Sequence, residues 1–223
     1  MKVDKRAAKE NKILDAAERK FSEIGFQNTR MEDIAKEVEI SKGSVYFYFA
    51  SKENLYMAVT YRAFLFLLQE FDLLVQAGLE NTGKETVIEL VKFYLEFCEK
   101  QAGYHDLLMN YHNLVRTNNN TISDHTFSKA MLESNFYQKI REVHNLPLSL
   151  VVKEIQRGQQ DGSIRNKQPA ILLYLTGWSL ISGFTLIRGA NRQRNQDTLF
   201  QVSIPDWRAY IEMMMFRVLD ADQ

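Results

Sequence analysis

Ser41-Lys42-Gly43-Ser44-Val45-Tyr46-Phe47-Tyr48-Phe49-Ala50-Ser51-Lys52 reads as a short helix set between two hydroxyl caps. Ser41 offers a side-chain oxygen to the first unpaired N–H groups of that helix, and Ser51 does the same for the helix that follows. Val45 and Phe49, four residues apart, share a face and anchor the segment to a core. Three adjacent aromatics cannot all be buried on a helix this short, so Tyr46, Phe47 and Tyr48 are left partly outward. Gly43 has no side chain and lets another molecule approach the backbone closely. A helix with a small, polar start and outward aromatics suits a DNA groove. Its N–H groups and the Tyr hydroxyls can reach phosphates, and Phe47 can touch a thymine methyl.

The flanking sequence supplies the frame for such a helix. Upstream, Ile13, Ala16, Ala17, Phe21 and Ile24 recur at 3- and 4-residue intervals, which predicts an amphipathic helix from about Lys5 to Ile24 that ends at Gly25. Thr29-Arg30-Met31-Glu32 has the spacing of a capping box and opens a short helix with Ile34, Ala35 and Val38 inward. Downstream, Ser51 starts a long helix through Leu55 and Val59 to about Gln76. An amphipathic helix, two short helices joined by a tight turn, and a long fourth helix make a helix-turn-helix plan.

The rest of the chain also reads as helix, so the expected fold class is all-α. Further helices are expected at about 83–101, opened by a Thr82–Glu85 capping box, and at 103–117, 123–145, 147–161, 169–189 and 205–220. Pro147, Pro169 and Pro205 each fall at or just before a helix start, where proline is tolerated. Glycines 25, 78, 83, 103, 162 and 189 sit between periodic segments as stops or turns. The polar run Thr117-Asn118-Asn119-Asn120-Thr121 reads as a loop, and Ala190 to Ile204 as a long connection without a hairpin signal.

Composition sets the outer limits. Hydrophobic residues make up 45% of the 223 and charged residues 25%, an ordinary globular balance. No stretch approaches the ~20 uninterrupted apolar residues of a spanning helix, and the charged start lacks the apolar core of a secretory signal. The single cysteine, Cys98, forms no internal disulfide. These features point to a cytoplasmic protein with no membrane partner. Net charge is zero; residues 1–52 carry 11 Lys and Arg against 9 Asp and Glu, so DNA binding is argued from pattern rather than bulk charge.

The run from Ile13 to Val59 resembles the DNA-binding domain of the TetR family. The resemblance lies in the Thr29 cap, the Ile34-Ala35 pair, Ser41-x-Gly43-Ser44, Tyr46-x-Tyr48-Phe49 and Ser51-Lys52-Glu53, all at the family's spacing. It implies a DNA-binding domain over 1–52 and a helical ligand-binding and dimerisation domain over 53–223. It also implies DNA contacts at Thr29, Arg30, Lys42, Ser44, Tyr46, Tyr48 and Lys52, with Gly43 and Phe47 added from the reading of the helix itself. One departure stands out. The family has Ala-Gly before the apolar turn residue, and this chain has Val38-Glu39-Ile40. A turn shaped for glycine carries a cost of order 1 kcal/mol with Glu39 in it.

The second domain has no comparable motif. Ala170 to Arg188 and Pro205 to Leu219 are apolar over more than one face, and in the family the last two long helices dimerise. A homodimer through about 169–189 and 205–220 is therefore expected, presenting two recognition helices to a pseudo-palindromic operator on double-stranded DNA. Phe64, Phe71, Phe93, Tyr94, Phe97, Tyr104, Met109, Tyr111 and Trp178, with His105 and His112, are the candidates for contact with a small apolar or amphipathic effector. For any one of the apolar residues, plain packing is the more frequent role. No cofactor is expected, nor a metal: His105 and His112 share a face without a third ligand in register. No phosphate loop, nucleophile elbow or zinc motif points to an enzyme. The reading is a ligand-responsive repressor, with a helical small-molecule or lipid carrier, which needs no recognition helix, as the alternative.

Overall fold

Ile13, Ala16, Ala17 and Phe21 line the buried face of α1 (Lys2–Asn28) in the computed structural model, which describes residues 2–119, 129–192 and 198–220. Ile24, the last of the expected row, is exposed. It immediately precedes Gly25, whose φ of 80° and ψ of 162° interrupt the helix before its final turn.

The helix-turn-helix follows as α2 (Met31–Glu37) and α3 (Lys42–Tyr48). Met31, Ile34, Ala35 and Val45 are buried between them and α1. The turn is a left-handed helix stop. The N–H of Ile40 donates to the carbonyl of Ala35 at 3.0 Å and that of Glu39 to Lys36 at 3.1 Å, while Glu39 holds φ at 57°. This is the bonding of a Schellman cap, in which glycine is the usual residue at the position Glu39 occupies.

The Thr29–Glu32 capping box does not form. Arg30 is the N-cap of α2 and makes no side-chain cap. The Thr29 hydroxyl donates backwards, to the carbonyls of Gly25 at 2.8 Å and Lys20 at 3.2 Å. A buried hydroxyl needs a partner, and the end of α1 offers carbonyls that the helix leaves unpaired. Ser41 and Ser51 do cap as expected: their oxygens accept from the N–H groups of Ser44 at 3.1 Å and Asn54 at 3.0 Å.

Then come α4 (Lys52–Ala77), α5 (Gly83–Lys100), α6 (Ala102–Asn119), α7 (Lys129–Leu132), α8 (Asn135–Val143), α9 (Leu146–Asp161), α10 (Ala170–Arg192) and α11 (Ile204–Asp220). Helix α6 runs on through Thr117 to Asn119, part of the expected polar loop; residues 120 and 121 lie outside the described set. The helix expected over 123–145 is α7 and α8, separated at Ser134, whose hydroxyl accepts the N–H of Phe136 at 3.2 Å; residues 123–128 also lie outside. An unexpected antiparallel hairpin pairs β1 (Thr198–Leu199) with β2 (Val202–Ser203). Its turn uses Phe200 (φ 47°) and Gln201 (φ 67°), neither of which carries the Asn-Gly signal of such turns.

Packing divides the chain into two compact units that cut across the expected functional boundary after residue 52: Met1–Leu67 with Gln101–His144, and Leu68–Lys100 with Asn145–Gln223. In the first, α4 is tied to α1. The Arg62 guanidinium donates to Asp15 at 2.6 Å and Glu18 at 2.5 Å, and Lys52 donates to the carbonyls of Phe26, Thr29 and Gln27 at 2.8, 3.0 and 3.3 Å. In the second, α5 packs on α9, and α10 on both α9 and α11. The Thr82–Glu85 box forms reciprocally, at 2.8 and 3.3 Å. Arg157 gathers the α4–α5 connection: it donates to the carbonyls of Asn81 (2.6 Å) and Gly78 (3.3 Å) and to the Thr86 hydroxyl (2.9 Å). By length and composition alone, Ala170–Gly189, with mean hydropathy 1.7, meets the requirement for a membrane span. Its apolar run is interrupted by hydroxyl side chains and by Arg188, which pairs with Glu99 at 2.8 Å.

Candidate DNA-binding surface and the aromatic clusters

Val45 and Phe49 are completely or almost completely buried, as their four-residue spacing requires, and this turns the neighbouring aromatics outward. Phe47 is 71% exposed and Tyr46 42%, with Tyr48 half-buried and set edge-on to Phe47 at 5.4 Å. A Cβ added to Gly43 would meet only Ser41 Oγ, at 3.9 Å, so the backbone there is open to approach. The hydroxyls of Ser41 and Ser44 share a hydrogen bond of 2.8 Å at the start of α3. Rings of this size exposed on a short, polar-started helix add little apolar burial to the unit itself.

Lys42 lies on the same surface, but its ammonium is engaged. It donates to the Glu32 carboxylate of α2 and sits 5.8 Å from the centre of the Tyr46 ring. The ammonium holds the Glu32 carboxyl below the usual carboxylate range, and Glu32 in turn raises Lys42. Arg30 is exposed at the start of α2. Two expected contact residues are placed differently. Thr29 is 1% exposed and its hydroxyl is taken up by α1, while Lys52 is spent on three carbonyls and lies 4.4 Å over the Phe26 ring. These two side chains build the frame of the surface. Arg30, Lys42, Gly43, Ser44, Tyr46, Phe47 and Tyr48 remain on its outside. Glu32, legible in the sequence only as a capping residue, becomes the partner of Lys42.

Residues 13–59 match the family described as bacterial regulatory proteins, tetR family. These residues form a DNA-binding domain of the TetR family. The chain is 29% identical over 184 residues, 81% of its length and 87% of the other protein's, to the biofilm operon icaADBC HTH-type negative transcriptional regulator IcaR of Staphylococcus aureus. The HTH-type transcriptional regulator RutR of Escherichia coli matches more locally, at 49% over 53 residues, which is 24% of this chain and 25% of RutR. Among solved structures, FadR of Bacillus subtilis, in complex with stearoyl-CoA, shares the fold with a TM-score of 0.63 at 17% identity, covering 95% of this chain and 98% of that one. A transcriptional regulator from Saccharomonospora viridis in complex with choline gives 0.70 at 16%, covering 94% and 96%. The protein is thus a transcriptional regulator with a TetR-type DNA-binding domain.

Most of the effector candidates fall into two clusters, one within each unit. In the first unit, Phe64 meets Tyr111 at 5.3 Å and His112 at 6.2 Å, and Tyr111 also meets Tyr137 at 6.1 Å and His144 at 5.6 Å. Tyr137 comes from α8 and His144 caps its C-terminus; the periodicity did not reveal α8 as a separate helix. Burial pushes the Tyr111 hydroxyl up to about 12, and burial with the nearby His144 lowers His112. The Tyr111 oxygen is buried and makes no hydrogen bond among the described residues. Met109 is half-buried, and His105 is buried, 3.8 Å from Asp106. Tyr104 stands apart, 5.7 Å from Phe66, with burial and the Glu18 carboxylate both raising its hydroxyl.

In the second unit Phe71 packs on Phe93 at 6.0 Å and on Tyr94 at 6.4 Å, and Tyr94 stacks with Phe97 at 5.9 Å. Burial drives the Tyr94 hydroxyl well above its ordinary range, opposed by a hydrogen bond with Trp178. Cys98, beside Tyr94, is pushed up to about 12 by burial, which leaves it a thiol rather than a reactive thiolate at neutral pH.

Proposed function

We propose that this TetR-family regulator is a homodimeric repressor, released from a pseudo-palindromic operator by a small apolar or amphipathic effector. The observation that carries the reading is the exposed face of α3, where Gly43, Ser44, Tyr46 and Phe47 stand outward over a helix held by Val45 and Phe49. Residues 1–52 contact DNA through Arg30, Lys42, Gly43, Ser44, Tyr46, Phe47 and Tyr48, with Thr29 and Lys52 as framework, and residues 53–223 bind the effector and dimerise. The protein acts in the cytoplasm and has no catalytic role.

Three observations support the finer points. Ile171, Leu172, Leu175, Leu186 and Ile187 on α10 and Tyr210 and Met213 on α11 are large apolar side chains left exposed, and a second copy covers them. The buried Tyr111 oxygen, unbonded among the described residues, beside Phe64, His112 and His144 offers one polar contact in an aromatic setting, the composition of a small-molecule site. The negative regulation named for IcaR, and the stearoyl-CoA and choline bound by the two structural neighbours, fit a repressor that answers to a small molecule. The effector acts by displacing α4, and a decisive shift needs about 5 kcal/mol of preference between the two states.

Gel shift of the purified protein on the DNA upstream of its own gene, across a salt series, tests the reading. Specific binding that Lys42→Ala and Tyr46→Ala abolish supports it. Absence of binding to that DNA and to a randomised-site pool at low salt overturns it in favour of a carrier, and binding that raises transcription makes the protein an activator.

A further inference from the structure

The guanidinium of Arg6, on the second turn of α1, lies 5.6 Å from the centre of the Phe47 ring. Phe47 is the most exposed side chain of α3, and Arg6 is exposed as well. The contact therefore buries no apolar core; it places a cation beside the outward face of the recognition helix. Lys5, Lys9 and Lys12, at helical spacing on the same helix, are exposed too, and the one acid between Lys5 and Lys12 is Glu10. Among the described residues none of these four cations forms an ion pair within 4 Å.

Three of the basic side chains of the helix-turn-helix and its frame, and Lys42 with them, are committed elsewhere. Lys42 is held by Glu32, Arg19 and Lys20 by Glu37, and Lys52 by the carbonyls of α1. A cation that a carboxylate already neutralises gains less from a phosphate, because contact with the phosphate must displace the carboxylate. The uncommitted row on α1 carries no such penalty.

We infer that the first turns of α1 form a second DNA-contacting element, in which Arg6, braced on Phe47, grips a backbone phosphate next to the groove that α3 enters. The inference rests on the DNA-binding reading above and adds to it a surface outside the helix-turn-helix. Phosphate is the target because the row is a line of point charges without groups arranged to read base edges. The guanidinium suits it through its fork of N–H donors, and its flat face can remain stacked on a ring while its edge bonds to an anion. Lys5, Lys9 and Lys12 add charge along the same path. Phe47 thus has two tasks: it faces the groove, and it orients Arg6.

The test is a salt series of gel shifts on one duplex that the wild-type protein binds, repeated on a scrambled duplex of equal length. Arg6→Ala is expected to lower the slope of log K against log salt by about one per bound protomer and to weaken both duplexes alike, about tenfold at moderate salt. Arg6→Lys restores the slope but not the full affinity, because an ammonium lacks the planar fork. Phe47→Leu, in an otherwise unchanged protein, lowers the slope as well, which a side chain that touches only a base would not do. An Arg6→Ala protein with wild-type fold by circular dichroism and an unchanged slope overturns the inference and leaves the recognition helix standing. A wild-type protein that binds neither duplex nor a randomised pool overturns both.

Discussion

Gly83 and Gly158 meet backbone against backbone: a Cβ on Gly83 would lie 2.1 Å from the nitrogen of Gly158 and 2.6 Å from the carbonyl oxygen of Glu154. This contact sets how closely the start of α5 approaches α9. Its near atoms are main chain, which cannot swing aside. Gly83→Ala is therefore expected to destabilise the fold by about 3 kcal/mol, read as a lower urea midpoint. Gly158→Ala meets the side chain of Ile164 first, at 2.6 Å, and should cost less. Equal and small losses in both variants would mean that the helices separate easily.

Glu39 sits at φ 57° in the position of a helix-stopping glycine. Glu39→Gly should raise stability by about 0.5–1 kcal/mol, the relief of left-handed strain less the entropy glycine gives up on folding. Thermal unfolding at neutral pH checks this. A lower midpoint would show that Glu39 makes a stabilising contact that outweighs its backbone.

Asp161 accepts the N–H of Gly83 and the N–H of Ser163, each at 2.8 Å, and the first of these does most to hold its carboxyl below the usual aspartate range. A depressed folded-state value means that the carboxylate stabilises the fold above the unfolded value and that this is lost as pH falls through the folded one. Asp161→Asn should thus be less stable than wild type from neutral pH down to about pH 5. The gap should close as pH falls through the depressed folded-state value. A gap independent of pH would place the effect in shape rather than charge.

The ion pair of Glu32 with Lys42 lies across the helix-turn-helix, and the proposed contact of Lys42 with DNA has to displace it. Glu32→Gln should steepen the salt dependence of DNA binding by up to about one unit of slope per protomer and tighten binding to unrelated sequences. An unchanged slope would mean that Lys42 already leaves Glu32 in the complex without penalty.

The Tyr111 oxygen is buried without a hydrogen bond among the described residues. Tyr111→Phe should leave stability unchanged or raise it by about 1 kcal/mol, and should weaken release from the operator by effector. A clear loss of stability on denaturant titration would show that the hydroxyl has a partner in solution and argue against a ligand role.

The sequence made the recognition helix legible because its signals are local. Ser41, Ser51 and the Val45–Phe49 spacing act within one or two turns, and each performs as read. The glycine missing at Glu39 was legible for the same reason. The failures come from longer range. Thr29 and Glu32 have the spacing of a capping box, but each finds its partner elsewhere, in the end of α1 and in Lys42. Lys52 reads as an exposed cation until folding brings α1's carbonyls to it. His144, at the end of α8 and 32 residues beyond His112, joins the Phe64–Tyr111 cluster beyond the reach of periodicity. The hairpin at Phe200 uses residues that carry no turn preference, so nothing announced it.

Lys52 and Arg62 fasten α4 to α1 at two points ten residues apart, about 15 Å along the helix. A rod pinned twice cannot pivot about either pin. Whatever moves this half of α4 must carry α1 with it, and with α1 go Arg6 and, through α2, the recognition helix. Such a protein lets go of its target by re-aiming a whole block, and loosening either pin would blunt the message before it altered the grip.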